Sequence, residues 1–226
     1  TRMGSHYGVE SEKAFVLSNG LFMTAGSEKE AFFARVQHIP VRGARLDRVT
    51  AVNQLSRQIE EGCYSIEEVR LKLDEIERMP EKSAGMKILA SGVGSGCFCL
   101  MFGGSPLDCA GAFIAGLILY IYVWKIYEPH LSKIIGNIGG GALVSALCIL
   151  LHQLHLGETM DQMIIGAIMP LVPGIAFTNG VRDIADGDYI AGSVRLLDAL
   201  LVFVCIAAGV GLVITAYHKL TGGMVL

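Results

Sequence analysis

The chain has 226 residues, 52% of them hydrophobic, and its mean hydropathy of +0.52 is higher than that of an ordinary soluble domain. Charge is unevenly distributed, because residues 1–87 hold 13 of the 18 Lys and Arg residues and 13 of the 21 Asp and Glu residues. The first part therefore has no net charge, which excludes the basic footprint of a nucleic-acid-binding domain. The pattern predicts a small α/β domain at 1–85 followed by a transmembrane domain at 86–226.

Short β-prone runs open the chain. Two of them, 13–17 and 21–25, flank Ser18-Asn19-Gly20, and Asn-Gly between such runs is a strong signal for a β-hairpin. The alternating pattern of residues 31–39 predicts a third strand, which Pro40 closes.

From Arg45 the hydrophobic period becomes helical. The first predicted helix ends at Gly62, a capping box at Ser65–Glu68 opens a second, and Pro80 ends that one. We expect the inward faces to consist of Leu46, Val49, Val52, Leu55, Ser56 and Ile59 in the first helix, and of Ile66, Val69, Leu73 and Ile76 in the second.

Five apolar runs follow, and their lengths suit a hydrocarbon core about 30 Å thick. The predicted fold class is therefore an α-helical integral membrane protein with about five transmembrane helices, the fourth broken, preceded by a small cytoplasmic α/β domain. The predicted spans are 86–102, 109–124, 134–151, 163–180 and 190–217. Gly136 and Gly140 in the third span are spaced for close helix packing, and no phosphate-loop motif surrounds them.

Basic residues predict the orientation. Lys and Arg flank the start of span 1 and the connections between spans 2 and 3 and between spans 4 and 5, whereas the other two connections have none. By the positive-inside rule, the N-terminal domain is cytoplasmic and the C-terminus lies outside. Lys219 is an exception to this pattern.

The most informative stretch is 163–188, where an apolar run is interrupted by Pro170-Leu-Val-Pro173-Gly174 and is followed by a group of polar residues. Proline and glycine make a continuous helix unfavourable, and broken helices at membrane depth are tolerated only beside protein or water. The predicted substrate- or ion-binding residues are Pro170, Pro173, Gly174, Thr178, Asn179, Arg182, Asp183, Asp186 and Asp188, with Asp198 as a secondary candidate that needs a partner.

Helical spacing orders these groups. Thr178 and Arg182, and likewise Asn179 and Asp183, are four residues apart and lie on neighbouring rows of a helix. Arg182 is expected to pair with Asp186 rather than with the adjacent Asp183. An alternative interpretation is a cytoplasmic connection between two membrane helices, in which Asp and Gly supply turn chemistry.

This stretch closely resembles the signature of the threonine/serine exporter family, in the N-terminal unit that also occurs in proteins implicated in dicarboxylate export. The matching string is Pro170-Leu-Val-Pro173-Gly174-x-x-x-Thr178-Asn179-x-x-Arg182-Asp183-x-x-x-Gly187-Asp188. A second string looks like the soluble-domain motif of the family, namely Arg42-Gly43-x-x-Leu46-x-x-Val49-x-x-Val52-Asn53-x-Leu55-Ser56-Arg57.

The resemblance implies a proton-driven secondary exporter of threonine- and serine-like amino acids or, alternatively, of small dicarboxylates such as succinate. In that interpretation Thr178 and Asn179 hydrogen-bond the substrate, Arg182 neutralises a carboxylate, and Asp183 pairs with an ammonium group or carries the proton. The amides that open a half-helix after Gly174 would suit a substrate carboxylate. Asp186 and Asp188 would instead fix the cytoplasmic turn.

The resemblance also implies a bacterial plasma-membrane location and a second five-helix membrane subunit, with a homo-oligomer as the other possibility. Because the chain starts at Thr1 rather than Met, we expect it to lack its native N-terminus. The partners expected are the small-molecule substrate and the lipid bilayer, with no nucleic acid, no metal and no cofactor.

Two other function classes stay open. A membrane enzyme would use the Asp cluster or the pair His152 and His155 for metal-assisted hydrolysis, although these groups lie on opposite predicted sides of the membrane. A non-transporting scaffold or sensor would bind its partner through the N-terminal α/β domain. The six cysteines show no Cys-x-x-Cys pair and are expected to act as small apolar residues of a reduced protein.

Overall fold

The structure is a computed structural model that describes residues 7, 11–17, 20–26, 33–38, 45–62 and 64–221. The chain forms two compact units, Thr1–Glu81 and Lys82–Leu226. Several predicted features lie outside the described residues: the hairpin-turn residues Ser18 and Asn19, the Arg42-Gly43 start of the soluble-domain motif, and Cys63.

Within the described part of the N-terminal unit, three strands form one antiparallel sheet in the order β1-β2-β3. They are β1 (Ser11–Leu17), β2 (Gly20–Gly26) and β3 (Phe33–His38). Leu17 of β1 pairs with Gly20 of β2, and Ala25 of β2 pairs with Phe33 of β3, so each strand is antiparallel to the strand that precedes it in the chain. The predicted hairpin is therefore present, and the third strand joins it at β2.

The described residues of this unit also include two helices, α1 (Leu46–Glu60) and α2 (Ile66–Glu77). The capping box predicted at the start of α2 is present, with Glu68 N donating to the hydroxyl oxygen of Ser65 and Ser65 N donating to the Glu68 carboxylate. Gly62 follows the end of α1 and has a φ angle of +76°, a backbone conformation that favours glycine.

The predicted inward faces of these two helices included too many residues. Only Leu55, Ile59 and Val69 are buried among the described residues of the two helices. The outer members of the predicted stripes are exposed to solvent: Leu46 at 56%, Val49 at 57%, Ile66 at 64% and Leu73 at 38%. Two helices bury side chains only where they meet, so the ends of a periodic stripe extend past the contact.

Two arginines join the start of α1 to the end of α2. Arg45 donates hydrogen bonds to the carbonyl oxygens of Met79 and Pro80, each at 3.1 Å, and Arg48 donates to the carbonyl of Glu77 at 2.6 Å. The hydrogen bonds that Arg45 gives Asp47 also lower the pKa of that carboxyl group to about 2.

The second unit contains six helices within its described residues. They are α3 (Ala84–Met101), α4 (Pro106–His130), α5 (Lys133–Gln153), α6 (Met160–Ile168), α7 (Gly174–Ala185) and α8 (Tyr189–Leu220). Helix α4 is α-helical to Tyr122 and then passes through a π-helical segment at Val123–Tyr127. In the described part of the chain, four helices are long and apolar enough to cross a membrane, and α6 with α7 forms a bent fifth candidate. The protein is thus an α-helical membrane protein with four continuous candidate spans and, before the last of them, a broken helix pair that forms the fifth candidate.

Polar caps explain why the helices begin before the predicted apolar runs. Ser83, Ser105 and Ser132 each accept a backbone hydrogen bond at the start of α3, α4 and α5. At α4 a proline, Pro106, occupies the first turn, where its missing N–H removes no helical hydrogen bond. Hydrophobicity indicates where the membrane begins, whereas the caps fix where the helix begins.

Small residues let these helices approach closely. The buried core of α3, α4, α5 and α6 consists mostly of small and medium side chains: Cys99, Ala112, Ala115, Leu119, Val144, Cys148, Leu151, Met163, Ile164 and Ala167. As predicted, Gly136 and Gly140 are packing positions, because a Cβ atom at either would collide with Tyr127 or Leu171. Helices α5 and α8 meet in the same way at Gly141 and Gly209.

Candidate functional site

The helix break lies where the sequence predicts it. Helix α6 ends at Ile168, a 3-10 turn covers Met169–Leu171, and α7 begins at Gly174. The two helices are bent by 67° relative to each other. Pro170 stands inside the turn and has no N–H to continue the hydrogen-bond ladder, so the chain leaves the axis of α6 here.

The first half of the broken span is fixed inside the bundle. Helix α6 packs against α3, α4 and α5 and buries Met163, Ile164, Gly166 and Ala167. A Cβ atom at Gly166 would lie 2.8 Å from the backbone nitrogen of Cys99. Helices α6 and α3 are therefore too close at this point to leave room for a side chain.

A buried carboxylate anchors the start of α6. Asp108, in the first turn of α4, is fully buried and accepts hydrogen bonds from the backbone amides of Glu158 (2.6 Å) and Thr159 (2.9 Å). It also accepts from the Thr159 hydroxyl at 2.5 Å and from the Ser105 amide at 2.9 Å. These bonds join the α3–α4 and α5–α6 connections at one end of the bundle.

The sequence analysis did not identify this role of Asp108. A signal was available, because Ser105-Pro-Leu-Asp108 reads as a capping box with proline in the first helical position. What the sequence could not show is that the second connection reaches the same carboxylate.

The second half of the broken span is held differently. Among the described elements, α7 packs closely against α8, with Gly180 and Gly192 facing each other. The ring of Phe177 contacts that of Phe203, with centroids 5.8 Å apart. The bend thus carries α7 away from the helices that enclose α6.

The predicted site residues of α7 do not form one enclosed cluster. Thr178 donates its hydroxyl hydrogen to the carbonyl of Gly174 at 2.9 Å, within its own helix. Asn179 is exposed, and the expected pair of Arg182 with Asp186 is present at 3.6 Å on the surface of the unit, with side chains 79% and 69% exposed. We call these four residues, Thr178, Asn179, Arg182 and Asp186, the polar row of α7.

The remaining acidic candidates have structural partners. The Asp183 carboxylate accepts a hydrogen bond from Arg195 of α8 at 2.5 Å, and both side chains are half-buried. Asp198 pairs with Lys133 at the start of α5, also at 2.5 Å, which supplies the partner that the sequence interpretation required. Asp188 caps α8 by accepting a hydrogen bond from the Ala191 amide at 3.2 Å.

A groove of about 380 Å³ opens beside the break. It follows one face of α3 and is bounded on the other side by α4 and by the 3-10 turn; its lining residues are Lys87, Ala90, Ser91, Gly94, Phe98, Tyr120, Met169 and Pro170. Of the predicted site residues, Pro170 alone is part of this lining. Lys87, Ser91 and Tyr120 were missed, because single polar residues in apolar runs give no sequence signal for a shared groove.

The histidines proposed for a metal site lie elsewhere. The Nδ1 atom of His152 is 3.0 Å from the carbonyl oxygen of Gly157, and His155 is exposed with a positive φ of 57°. In the described part of the chain, no group of three or more His, Cys, Asp or Glu residues is arranged to hold a metal ion.

Comparison with known proteins identifies the family of the chain. A family model described as "Putative threonine/serine exporter" matches residues 1–217. Neither the curated proteins nor the solved structures give a match. The match spans both the N-terminal unit and nearly all of the membrane unit, and this chain therefore belongs to the threonine/serine exporter family.

Proposed function

We propose that this chain is a unit of a proton-driven secondary exporter that moves small polar amino acids of the threonine and serine type across a membrane. Its membership of the exporter family supports the transported class. The single structural observation that carries the proposal is the 67° break of the fourth span beside a groove within the membrane unit. Transporters commonly bind their substrates where a membrane helix is interrupted.

The break divides the span into a fixed and a moving part. Because α6 is enclosed by three helices and anchored to Asp108, it holds its place in the bundle. Helix α7 leaves the bundle at Gly174 and rests on α8, so a change of angle at residues 169–174 moves α7 without repacking α6 against α3, α4 and α5. Alternating access requires such an element, which exposes the site first to one side and then to the other.

The polar row of α7 is proposed to form one wall of the substrate path. Hydroxyl, amide and guanidinium groups suit the hydrogen-bonding and charged ends of an amino acid. An arginine that is 79% exposed on a membrane helix is costly beside lipid, so this face is expected to border water or protein. We propose that a second membrane subunit, or a second copy of this chain, covers it.

The pair Asp183–Arg195 is the proposed site of proton coupling. It links α7 to α8 at 2.5 Å and is half-buried, so protonation of Asp183 would remove the charge that holds the two helices together. Substrate movement and proton movement would then act on the same helix.

The first test is transport in proteoliposomes with an imposed proton gradient. Radiolabelled serine, threonine and succinate are offered to the full-length chain, alone and together with the five-helix membrane protein encoded nearest to it. The key variant is Arg182→Ala. Arg70→Ala, which removes an exposed arginine from α2, is the matched control.

We expect gradient-dependent flux of serine or threonine that is lost in Arg182→Ala and kept in Arg70→Ala. Flux of succinate without flux of the amino acids would replace the proposed substrate by a dicarboxylate. No flux of any substrate from folded protein, with or without the neighbour, would contradict the exporter proposal and favour the scaffold alternative.

A further inference from the structure

The three glycines in the middle of α3 have different surroundings. A Cβ atom at Gly92 would lie within 2.8 Å of the Leu117 side chain, and one at Gly96 within 3.2 Å of the Cys109 carbonyl oxygen. Both glycines are therefore required where α3 packs against α4. Among the residues that the structure describes, a Cβ atom at Gly94 would meet nothing within 4 Å.

Packing thus gives no reason for glycine at position 94. Glycine in a helix interior is less favourable than alanine by about 1 kcal/mol, so a side chain here would be expected to support the helix. Gly94 lines the groove described above. The empty space at this position is part of the groove, and any side chain added there would project into it.

The groove also has a polar character at defined points. Lys87 lies two helical turns before Gly94, about 10 Å along the axis at 1.5 Å per residue, and both residues line the groove. Ser91 and Tyr120 add hydroxyl groups, while Ala90, Phe98 and Met169 supply apolar surface. A mostly apolar groove with a few polar groups is typical of small-molecule sites, and the ammonium group of lysine suits a carboxylate.

We propose that this groove binds the exported amino acid, with its carboxylate at Lys87 and its side chain towards Gly94, so that residue 94 limits the size of the substrate. The inference rests on the proposed export function and assigns the binding step to α3, α4 and the helix break. The polar row of α7 then borders the path rather than the binding groove.

Enlarging residue 94 tests the size limit. Flux of serine and threonine is compared between the unaltered full chain and Gly94→Val, in the preparation that transports. Gly211→Val in α8 is the matched control, because a Cβ atom at Gly211 also meets nothing within 4 Å but this glycine lies outside the groove. Elution of each variant as a single species in detergent shows that it is folded.

We expect Gly94→Val, which adds three carbon atoms, to lower threonine flux by about tenfold or more, because even one methylene group has an effect of about tenfold in a tight site. Serine flux should fall less. Gly94→Ala should also lower threonine flux more than serine flux, but both changes should be smaller. Gly211→Val should leave both fluxes unchanged. Equal fluxes in all variants, or equal losses in Gly94→Val and Gly211→Val, would contradict the assignment of the groove as the substrate-binding site but not the export function. No flux in the unaltered chain would overturn both.

Lys87 provides a second, independent measurement. Lys87→Gln keeps a polar side chain of similar length but removes the charge, so we expect KM for serine to rise while kcat changes little. Lys87→Arg restores the charge and should recover most of the affinity. A Lys87→Gln protein with unchanged KM would contradict the assigned carboxylate contact.

Discussion

The two halves of the broken span come from one continuous stretch of sequence, yet their surroundings differ. Helix α6 is enclosed by α3, α4 and α5, and its start is tied to the buried Asp108. Helix α7 rests on α8 and leaves its polar row exposed. The comparison shows that stability and polar chemistry are separated along this span: the first half holds the fold, and the second half presents the groups that a transporter uses.

This difference has a direct consequence for mutations. Substitutions in and around α6 should mainly change the free energy of unfolding, whereas substitutions in the polar row of α7 should mainly change transport. Thermal and denaturant unfolding of the purified protein in detergent measure the first effect, and proteoliposome flux measures the second.

The largest effect is expected at Asp108. Asp108→Ala leaves the backbone amides of Ser105, Glu158 and Thr159 without their acceptor, and each buried unsatisfied donor costs about 1–3 kcal/mol. We therefore expect a loss of about 3 kcal/mol or more, with Asp108→Asn intermediate because one carbonyl oxygen remains. Asp161→Ala, which removes an exposed acid from the first turn of α6, is the control and should cost less than about 1 kcal/mol. Similar losses in the two alanine variants would contradict the anchoring role.

A matched pair of glycines compares the two halves directly. Gly166→Ala places a methyl group against the backbone of Cys99 and should destabilise the protein by about 2 kcal/mol through overpacking. In Gly174→Ala, at the start of α7, the added methyl group meets no atom of the described residues within 4 Å, so this change should be neutral or slightly stabilising. If Gly174→Ala proved as harmful as Gly166→Ala, α7 would be more tightly enclosed than the structure indicates.

Two threonines provide a similar test with hydroxyl groups. Thr159→Val removes a hydrogen bond to the Asp108 carboxylate and should cost about 1.5 kcal/mol. Thr178→Val removes only a bond to the helix's own backbone, so we expect a change in stability within about 0.5 kcal/mol and a reduction of flux. Unchanged flux in a folded Thr178→Val protein would remove Thr178 from the proposed substrate path.

The smallest difference between two matched variants is expected for the acidic residues of the α7 segment. Asp183→Asn breaks a half-buried ion pair between two helices and should cost about 1 kcal/mol, whereas Asp186→Asn breaks an exposed pair and should cost less than about 0.5 kcal/mol. Urea unfolding in detergent is the measurement. A larger loss for Asp186→Asn would mean that the polar row is covered by protein in the purified sample.

Much of the fold could be predicted from local sequence patterns. Hydrophobic runs placed the membrane helices, Pro170 placed the break, and the spacing of Arg182 and Asp186 gave their ion pair. These features depend on residues close together in the chain, where helix geometry fixes which side chains meet. The sequence therefore determined the fold class, the family and the position of the break.

Contacts between distant residues required the tertiary structure. Asp108 and Thr159 are 51 residues apart, Lys133 and Asp198 are 65 apart, and no local period relates either pair. The four predicted acidic residues take part in four separate interactions. Only the pair of Asp186 with Arg182 is fixed by local spacing, whereas Asp183 meets Arg195 of α8, and Asp198 of α8 meets Lys133 of α5.

The groove shows most clearly what only the tertiary structure decides. Its lining comes from α3, α4 and the helix break, and Gly94 differs from Gly92 and Gly96 only in what lies opposite its Cα atom. The sequence determined that glycine stands at all three positions, and only the packing of α3 against α4 decided which of them faces open space.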